Sequence, residues 1–203
     1  FFNFVIVPEH DNIVSGDNVL ISKGALHYLN TEEVENTNFK NENVISLILG
    51  GPNKYYSFLF KELENIFMQL LKLKNITKIN VIGSRRTPPH LFEKLRSVFK
   101  DKKFNYDFSL QKINYTKSLS EASHIFITCD STSMISEAAI TGKPIYTIKL
   151  KNIKNDYRFQ RFFKLFQELG IIRFFDGSID NWTYEKLYAV SYTHLRAHET
   201  KWH

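Results

Sequence analysis

Three short loops of this sequence carry the residues that could bind an anionic ligand. They lie at residues 50–53, 84–88 and 129–133, and each follows directly on an apolar segment. Glycines let a backbone approach a ligand closely, and arginines hold phosphate or carboxylate groups through forked hydrogen bonds. Hydroxyls at a helix start act together with the free N–H groups there. The residue types therefore predict binding of a phosphate-bearing ligand.

The first two loops each allow a binding and a structural interpretation. Gly50 and Gly51 predict either a phosphate-binding turn or a tight turn, because the loop has neither the dinucleotide fingerprint nor a Walker sequence. Ser84, Arg85 and Arg86 suit phosphate recognition, or the arginines lie solvated at a helix entry. Neighbouring side chains point in different directions, so we expect at most one of the two arginines to contact a ligand.

The third loop places three hydroxyl residues at the start of a predicted helix, although capping needs only one. We predict that Ser131 and Ser133 contact a diphosphate. Glu137 has no serine or threonine three residues before it and is not a capping-box partner, so its carboxylate could bind the hydroxyls of a ribose. Asp130 would repel a diphosphate, and we assign it to helix capping or to an acceptor-side role.

The elements that must position these loops alternate between strand and helix. Apolar runs predict strands at residues 44–49, 79–82, 104–110, 125–129 and 144–148. Helical spacing of apolar residues predicts helices at 55–73, 89–99, 134–141 and 156–169. This order indicates the α/β class, with a Rossmann-like parallel sheet covered by helices on both faces. Such sheets bind ligands at the carboxyl ends of their strands, where the three loops lie.

Composition divides the chain into three parts. We interpret residues 1–43 as the end of a truncated N-terminal domain and its linker, residues 44–190 as a C-terminal nucleotide-binding domain, and residues 191–203 as a non-native tail. The chain opens on an apolar segment without an initiator Met, so we expect that an N-terminal part is missing. After that segment, His10 and Asp11 are the candidates for a catalytic base, and a structural turn is the alternative.

The predicted helix at residues 156–169 has an aromatic stripe. Its members are spaced three, four and seven residues apart: Phe159, Phe162, Phe163 and Phe166. Core packing explains such a stripe. We further predict that part of it faces the N-terminal domain and is partly exposed in this chain.

Composition excludes several classes of protein. With 203 residues, 43% of them hydrophobic, the chain can bury a full core, and it has no apolar run long enough for a transmembrane helix. The net charge of +6 comes from scattered lysines rather than from one basic face, so we expect no nucleic-acid partner. The single cysteine, Cys129, excludes a disulfide scaffold and fits a reducing, cytoplasmic compartment. We predict no metal site, because the sequence has no Asp-x-Asp motif.

Motifs spread over residues 5–182 resemble those of a known family. They are, in order, VPEHD, NVL…GAL, LGGP, SRRTP, CDSTSMISEAAITGKPIY and RFF…LGIIRFFDGSIDNW. Together they resemble the mitochondrial fission protein family of the elongated-mitochondria type, and this chain resembles its bacterial members. The last long motif is more distantly similar to the donor-nucleotide region of two-domain glycosyltransferases with the GT-B fold.

The resemblance implies that the sheet is the C-terminal domain of a GT-B-type protein. It would place Gly50 and Gly51 near the phosphates, Ser131 and Ser133 on the diphosphate, and Glu137 on the ribose. The function it implies is that of a metal-independent glycosyltransferase that uses a nucleotide-diphosphate sugar as donor substrate and needs no cofactor. Two alternatives stay open, a non-catalytic adaptor or membrane-remodelling factor and a sugar-nucleotide epimerase. Peripheral association with the inner membrane also stays open.

Overall fold

A computed structural model describes residues 5–14, 16, 18–27, 29, 34 and 43–187. The strands are β1 Val5–Pro8, β2 Val19–Ser22, β3 Val44–Leu49, β4 Lys78–Gly83, β5 Phe104–Asp107, β6 His124–Thr128, β7 Ile145–Ile148 and β8 Ile172–Phe174. The helices are α1 Phe60–Leu71, α2 Pro89–Val98, α3 Lys112–Glu121, α4 Thr132–Ala138 and α5 Tyr157–Glu168, with 3₁₀ turns at Glu9–Asp11 and Ala139–Thr141. The predicted non-native tail, residues 191–203, lies outside the described residues.

Strands β3 to β8 form one parallel sheet in the order β5-β4-β3-β6-β7-β8. The sheet confirms the predicted α/β class and its Rossmann-like parallel arrangement. The chain first adds strands outward from β3 on one side and then returns to the other side with β6. A switch of this kind opens a crevice beyond the carboxyl ends of the two central strands. The loops at residues 50–53 and 129–131 follow those two strands and therefore flank the crevice.

The sheet is buried on both faces, as its apolar strands require. Every residue of β3, β6 and β7 is buried. Helix α1 covers one face with Leu63, Phe67 and Leu70, none of which is accessible to solvent. Each such side chain stabilises the fold by about 1.5–3 kcal/mol relative to an exposed position. This packed centre gives the loops at the carboxyl edge a rigid base.

Helix α3 and strand β8 were not among the elements predicted from the sequence. The predicted strand at residues 104–110 ends at Asp107, and α3 begins soon after it. The buried side of α3 includes Thr116, Ser118 and Ser120, so apolar periodicity does not reveal the helix. Ser118 forms a hydrogen bond with Ser46 of β3, with 2.6 Å between the hydroxyl oxygens. Polar residues therefore make up most of the buried side of α3, and Leu119 is its buried apolar residue.

The N-terminal segment forms a separate parallel pair, β1 with β2, outside the main sheet. Its turn at Glu9–Asp11 packs on α5, and the backbone N–H of Ala25 donates to the Ser136 hydroxyl of α4 over 3.0 Å. The domain boundary between residues 43 and 44 and the truncation of an N-terminal domain stay predictions.

The four phenylalanines of the aromatic stripe on α5 differ in burial. Phe162, Phe163 and Phe166 are buried, whereas Phe159 is half-buried. The ring of Phe162 meets the His10 ring edge to face, with 5.0 Å between centroids. Part of the stripe therefore contacts the N-terminal segment of this chain. Phe159 is partly exposed, in agreement with the prediction, whereas contact of the stripe with a further domain stays a prediction.

Candidate functional site

A cavity of about 680 Å³ opens at the carboxyl edge of the sheet. The predicted residues of the second and third loops line it, namely Ser84, Arg85, Arg86, Ser131, Ser133 and Glu137. The start of α3 and the preceding loop also line the cavity. The parallel topology thus joins two loops that are 45 residues apart in sequence, because β4 and β6 both pair with β3 and end at the same edge.

The glycine pair of the first loop does not line this cavity. Gly50 and Gly51 are buried, and their N–H groups donate to the Thr128 hydroxyl over 2.8 Å and to Asp130 Oδ2 over 3.0 Å. A Cβ atom at Gly50 would come closer than 3.0 Å to the Asp130 carboxylate, and one at Gly51 equally close to the backbone of Arg86. The described geometry therefore explains both glycines by close packing between loops.

Asp130 forms the centre of that packing. Its side chain is inaccessible to solvent and accepts from Arg86 Nη2 over 2.7 Å as well as from the Gly51 N–H. Burial raises the pKa of Asp130, while hydrogen bonding by Thr128 and the charge of Arg86 act in the opposite direction. The helix-capping role proposed for Asp130 belongs instead to Ser131, whose hydroxyl accepts from the Met134 N–H over 3.4 Å.

The two arginines of the second loop have different surroundings. Arg86 is committed to Asp130, although 40% of its side chain remains exposed. Arg85 is exposed at the cavity, and its charge acts on the Glu137 carboxyl. Arg85 is therefore the arginine better placed to meet an anionic ligand in the cavity.

Thr87 connects the loop at residues 84–88 to the loop at residues 50–53, and this role of Thr87 was not predicted from the sequence. Its hydroxyl oxygen lies 2.6 Å from the Gly50 carbonyl oxygen and accepts from the Ser84 N–H over 2.8 Å. Thr87 is buried, unlike the arginines that precede it. A threonine beside a proline is a common turn residue, so sequence offered no specific signal for this role.

Glu137 has a specific partner inside the cavity. The hydroxyl of Tyr115, on α3, donates to Glu137 Oε2 over 2.9 Å. Burial raises the pKa of Glu137, and the Tyr115 hydrogen bond and the Arg85 charge oppose that rise. Tyr115 is not among the predicted site residues because α3 has no apolar periodicity that would reveal it. The available signal was the expectation that a helix follows each parallel strand and begins at the carboxyl edge.

The candidates for a catalytic base lie away from this cavity, against α5. The His10 ring is buried beside Phe162, and its backbone carbonyl accepts from Arg161 Nε over 2.9 Å. Asp11 forms an ion pair with Arg158. These contacts fasten the N-terminal segment to the helix, which agrees with the structural alternative for this turn; a catalytic role for either residue stays untested.

Replacing His10 by phenylalanine should weaken the dependence of stability on acid pH. Burial lowers the pKa of His10 below 6.5, with Arg158 and Arg161 acting in the same direction and Asp11 opposing. Between the lowered pKa and 6.5 the unfolded chain binds more protons, so the free energy of unfolding falls as pH falls through that window. Urea denaturation at several pH values from 7 to 5 should show a smaller decrease for His10→Phe than for the wild type. An equal decrease in the free energy of unfolding of the two proteins would contradict the assignment of this pH dependence to His10.

The fold and the cavity together define a class of protein. The sheet has the strand order of doubly wound, nucleotide-binding α/β domains, and its cavity lies where such domains bind ligands. A profile of the family described as Mitochondrial fission ELM1 matches residues 1–192. The chain therefore belongs to the mitochondrial fission ELM1 family.

Two curated relatives support the assignment. The Mitochondrial fission protein ELM1 of Arabidopsis thaliana is 26% identical over 186 residues, which cover 84% of this chain and 43% of the relative. The uncharacterized protein RP120 of Rickettsia prowazekii (strain Madrid E) is 33% identical over 140 residues, which cover 66% of this chain and 39% of the relative. The chain thus spans less than half the length of these relatives.

Solved structures with a similar arrangement include MurG of Acinetobacter baumannii. It has a TM-score of 0.49 and 16% identity, with coverage of 80% of this chain and 44% of that one. A protein of Listeria monocytogenes described as a UDP-N-acetylglucosamine 2-epimerase has a TM-score of 0.43 and 13% identity, with coverage of 66% and 32%.

Two further features concern only the described part of the chain. Each of its helices is too short or too polar to span a bilayer. Within the same residues, no three histidine, cysteine, aspartate or glutamate side chains come together as a metal site would require.

Proposed function

We propose that the cavity binds a nucleotide-diphosphate sugar and that the protein is a metal-independent glycosyltransferase of the GT-B type. One observation carries the proposal: two loops with anion-binding groups and a half-buried carboxylate line the same cavity at the carboxyl edge. The cavity volume of about 680 Å³ lies within the range of small-molecule sites.

Each part of the proposed ligand has matching groups in the cavity. The hydroxyls of Ser131 and Ser133 and the charge of Arg85 suit the diphosphate. The N–H groups of Thr132 and Ser133 precede the first intrahelical hydrogen bond of α4 and add to this set, whereas the Met134 N–H donates to the Ser131 hydroxyl. Glu137 accepts hydrogen bonds and suits sugar hydroxyls. The leaving diphosphate would be stabilised by these donors, without a bound divalent ion.

The remaining expectations follow from this proposal. The partner is a nucleotide sugar, no cofactor and no nucleic acid is involved, and the reaction takes place in the cytoplasm. The family's description as a mitochondrial fission family favours a second candidate, a non-catalytic adaptor or membrane-remodelling factor on the same fold. In that case the protein would act at a membrane surface, and the cavity would bind no nucleotide sugar.

Calorimetric titration of the full-length protein with UDP and other nucleoside diphosphates separates the two candidates. We expect one site, an affinity unchanged by EDTA, and about 10- to 150-fold weaker binding for Arg85→Gln because a charge-assisted contact is lost. Arg173→Gln is the matched control, since Arg173 is an exposed arginine that pairs with Asp180 outside the cavity. Failure of every nucleoside diphosphate to bind would favour the adaptor, and loss of binding in EDTA would contradict metal independence.

A further inference from the structure

Three elements meet around the Glu137 carboxylate. Glu137 comes from α4, Tyr115 from α3, and Arg85 from the loop after β4, and all three residues line the cavity. The Tyr115 hydroxyl donates directly to Oε2 over 2.9 Å, whereas Arg85 acts through its charge and remains exposed. The carboxylate therefore has one fixed partner, and that partner lies on a separate helix.

The hydrogen bond constrains what Glu137 can do. A phenol hydroxyl that donates to one carboxylate oxygen restricts the orientation of the group, and a carboxylate has about four acceptor positions, so others remain for a ligand. A protonated glutamic acid would present a donor as well and could orient differently. Burial favours that protonated form, and the Tyr115 hydrogen bond and the Arg85 charge counteract it.

We infer that Tyr115 is a positioning residue, whose hydroxyl keeps Glu137 oriented and available as an acceptor for the sugar hydroxyls of a bound nucleotide. The inference rests on the proposed function and extends it, since it assigns recognition of the hydroxyl-bearing sugar to a tyrosine–glutamate pair rather than to a lone carboxylate. Arg86, Asp107 and Lys112 also line the cavity, but Tyr115 and Arg85 are the groups that act on Glu137.

Tyr115→Phe in the full-length protein tests the inference with UDP as the probe. We expect about 3- to 10-fold weaker binding at pH 7, the effect of losing one hydrogen bond. The pH at which binding is lost on the acid side should move upward, because the hydrogen bond no longer favours the charged carboxylate. In a Glu137→Gln background, Tyr115→Phe should have little further effect on the acid limb, that is, on the low-pH side of the curve of UDP affinity against pH, since no carboxylate remains at position 137 to titrate.

The matched control is Tyr106→Phe. Tyr106 is also half-buried and donates its hydroxyl to a backbone carbonyl, that of Phe99, over 2.9 Å, but it does not line the cavity. Its replacement removes a comparable hydrogen bond and should leave both UDP affinity and the acid limb unchanged. A merely structural role of Tyr115 would lower stability without moving the pH profile.

A ligand-free measurement separates this inference from the proposed function. Carboxyl ¹³C titration by NMR, with Glu137 assigned through Glu137→Gln, should show a higher pKa for Glu137 in Tyr115→Phe than in the wild type. An unchanged pKa together with unchanged UDP binding would overturn the positioning role while the proposed function stands. If the wild type binds no nucleotide, the proposed function and the sugar role of the pair both fall, even where the titration shows that Tyr115 acts on Glu137.

Discussion

Gly51→Ala should lower the free energy of unfolding by about 3 kcal/mol, the upper part of the usual range for added atoms in a tightly packed position. A Cβ atom there would come closer than 3.0 Å to the backbone oxygen and carbon of Arg86. Because those atoms belong to the main chain, no change of side-chain rotamer relieves the contact. The loops at residues 50–53 and 84–88 would have to separate. The hydrogen bond from Thr87 to the Gly50 carbonyl and the one from the Gly51 N–H to Asp130 would then weaken.

Thermal denaturation of the 203-residue chain measures this effect. A loss of about 3 kcal/mol corresponds to a decrease in Tm of about 6–12 °C for a domain of this size. Gly16→Ala is the matched control, because a Cβ atom at Gly16 makes only ordinary contacts, at 3.7 Å. Equal Tm values for Gly51→Ala and Gly16→Ala would show that the two loops are not packed as described.

The edge of the sheet that carries the candidate site could be predicted because apolar strands and the loops after them follow simple rules. Continuous apolar runs at β3, β4 and β6 predicted the parallel sheet, and the edge rule then grouped the Ser84–Arg86 loop with Ser131 and Glu137. No contact between these residues could be predicted, since each depends on strand order, and strand order is set by packing across the whole sheet. The cavity thus depends on the strand order of the sheet, whereas the residue types of the predicted loops can be read directly from the sequence.

Two features of the site could not be predicted for specific physical reasons. Glycine is compatible with both close ligand approach and close loop packing, and only the neighbours of Gly50 and Gly51 distinguish the two. Repulsion from a diphosphate favours helix capping or an acceptor-side role for Asp130, but the cap is Ser131, and the carboxylate turns inward to Arg86. An ion pair between two loops leaves no periodic trace in a sequence.

Glu137→Ala should weaken nucleotide binding by about 1.5–3 kcal/mol, the range for a hydrogen bond to a charged group. This corresponds to an increase in Kd of about 10- to 150-fold. Ser133→Ala should cost less, because backbone N–H groups at the start of α4 would still contact the phosphate. Stability should change by less than about 1 kcal/mol in either variant, because Glu137 is only half-buried and Ser133 is exposed.

Calorimetric titration with UDP measures this difference, with Glu121→Ala as the matched control. Glu121 is also half-buried and lies at the end of α3, where it pairs with Lys78 and Lys117 outside the candidate cavity. Its loss removes a carboxylate of similar burial and should leave UDP affinity unchanged.

Glu137 and Ser133 line the same cavity, so the relative size of their effects tests the placement of the ligand. A larger loss of affinity for Ser133→Ala than for Glu137→Ala would place the main contact on the phosphate side. UDP binding that is unaffected by Glu137→Ala, in protein that does bind UDP, would exclude Glu137 from sugar recognition.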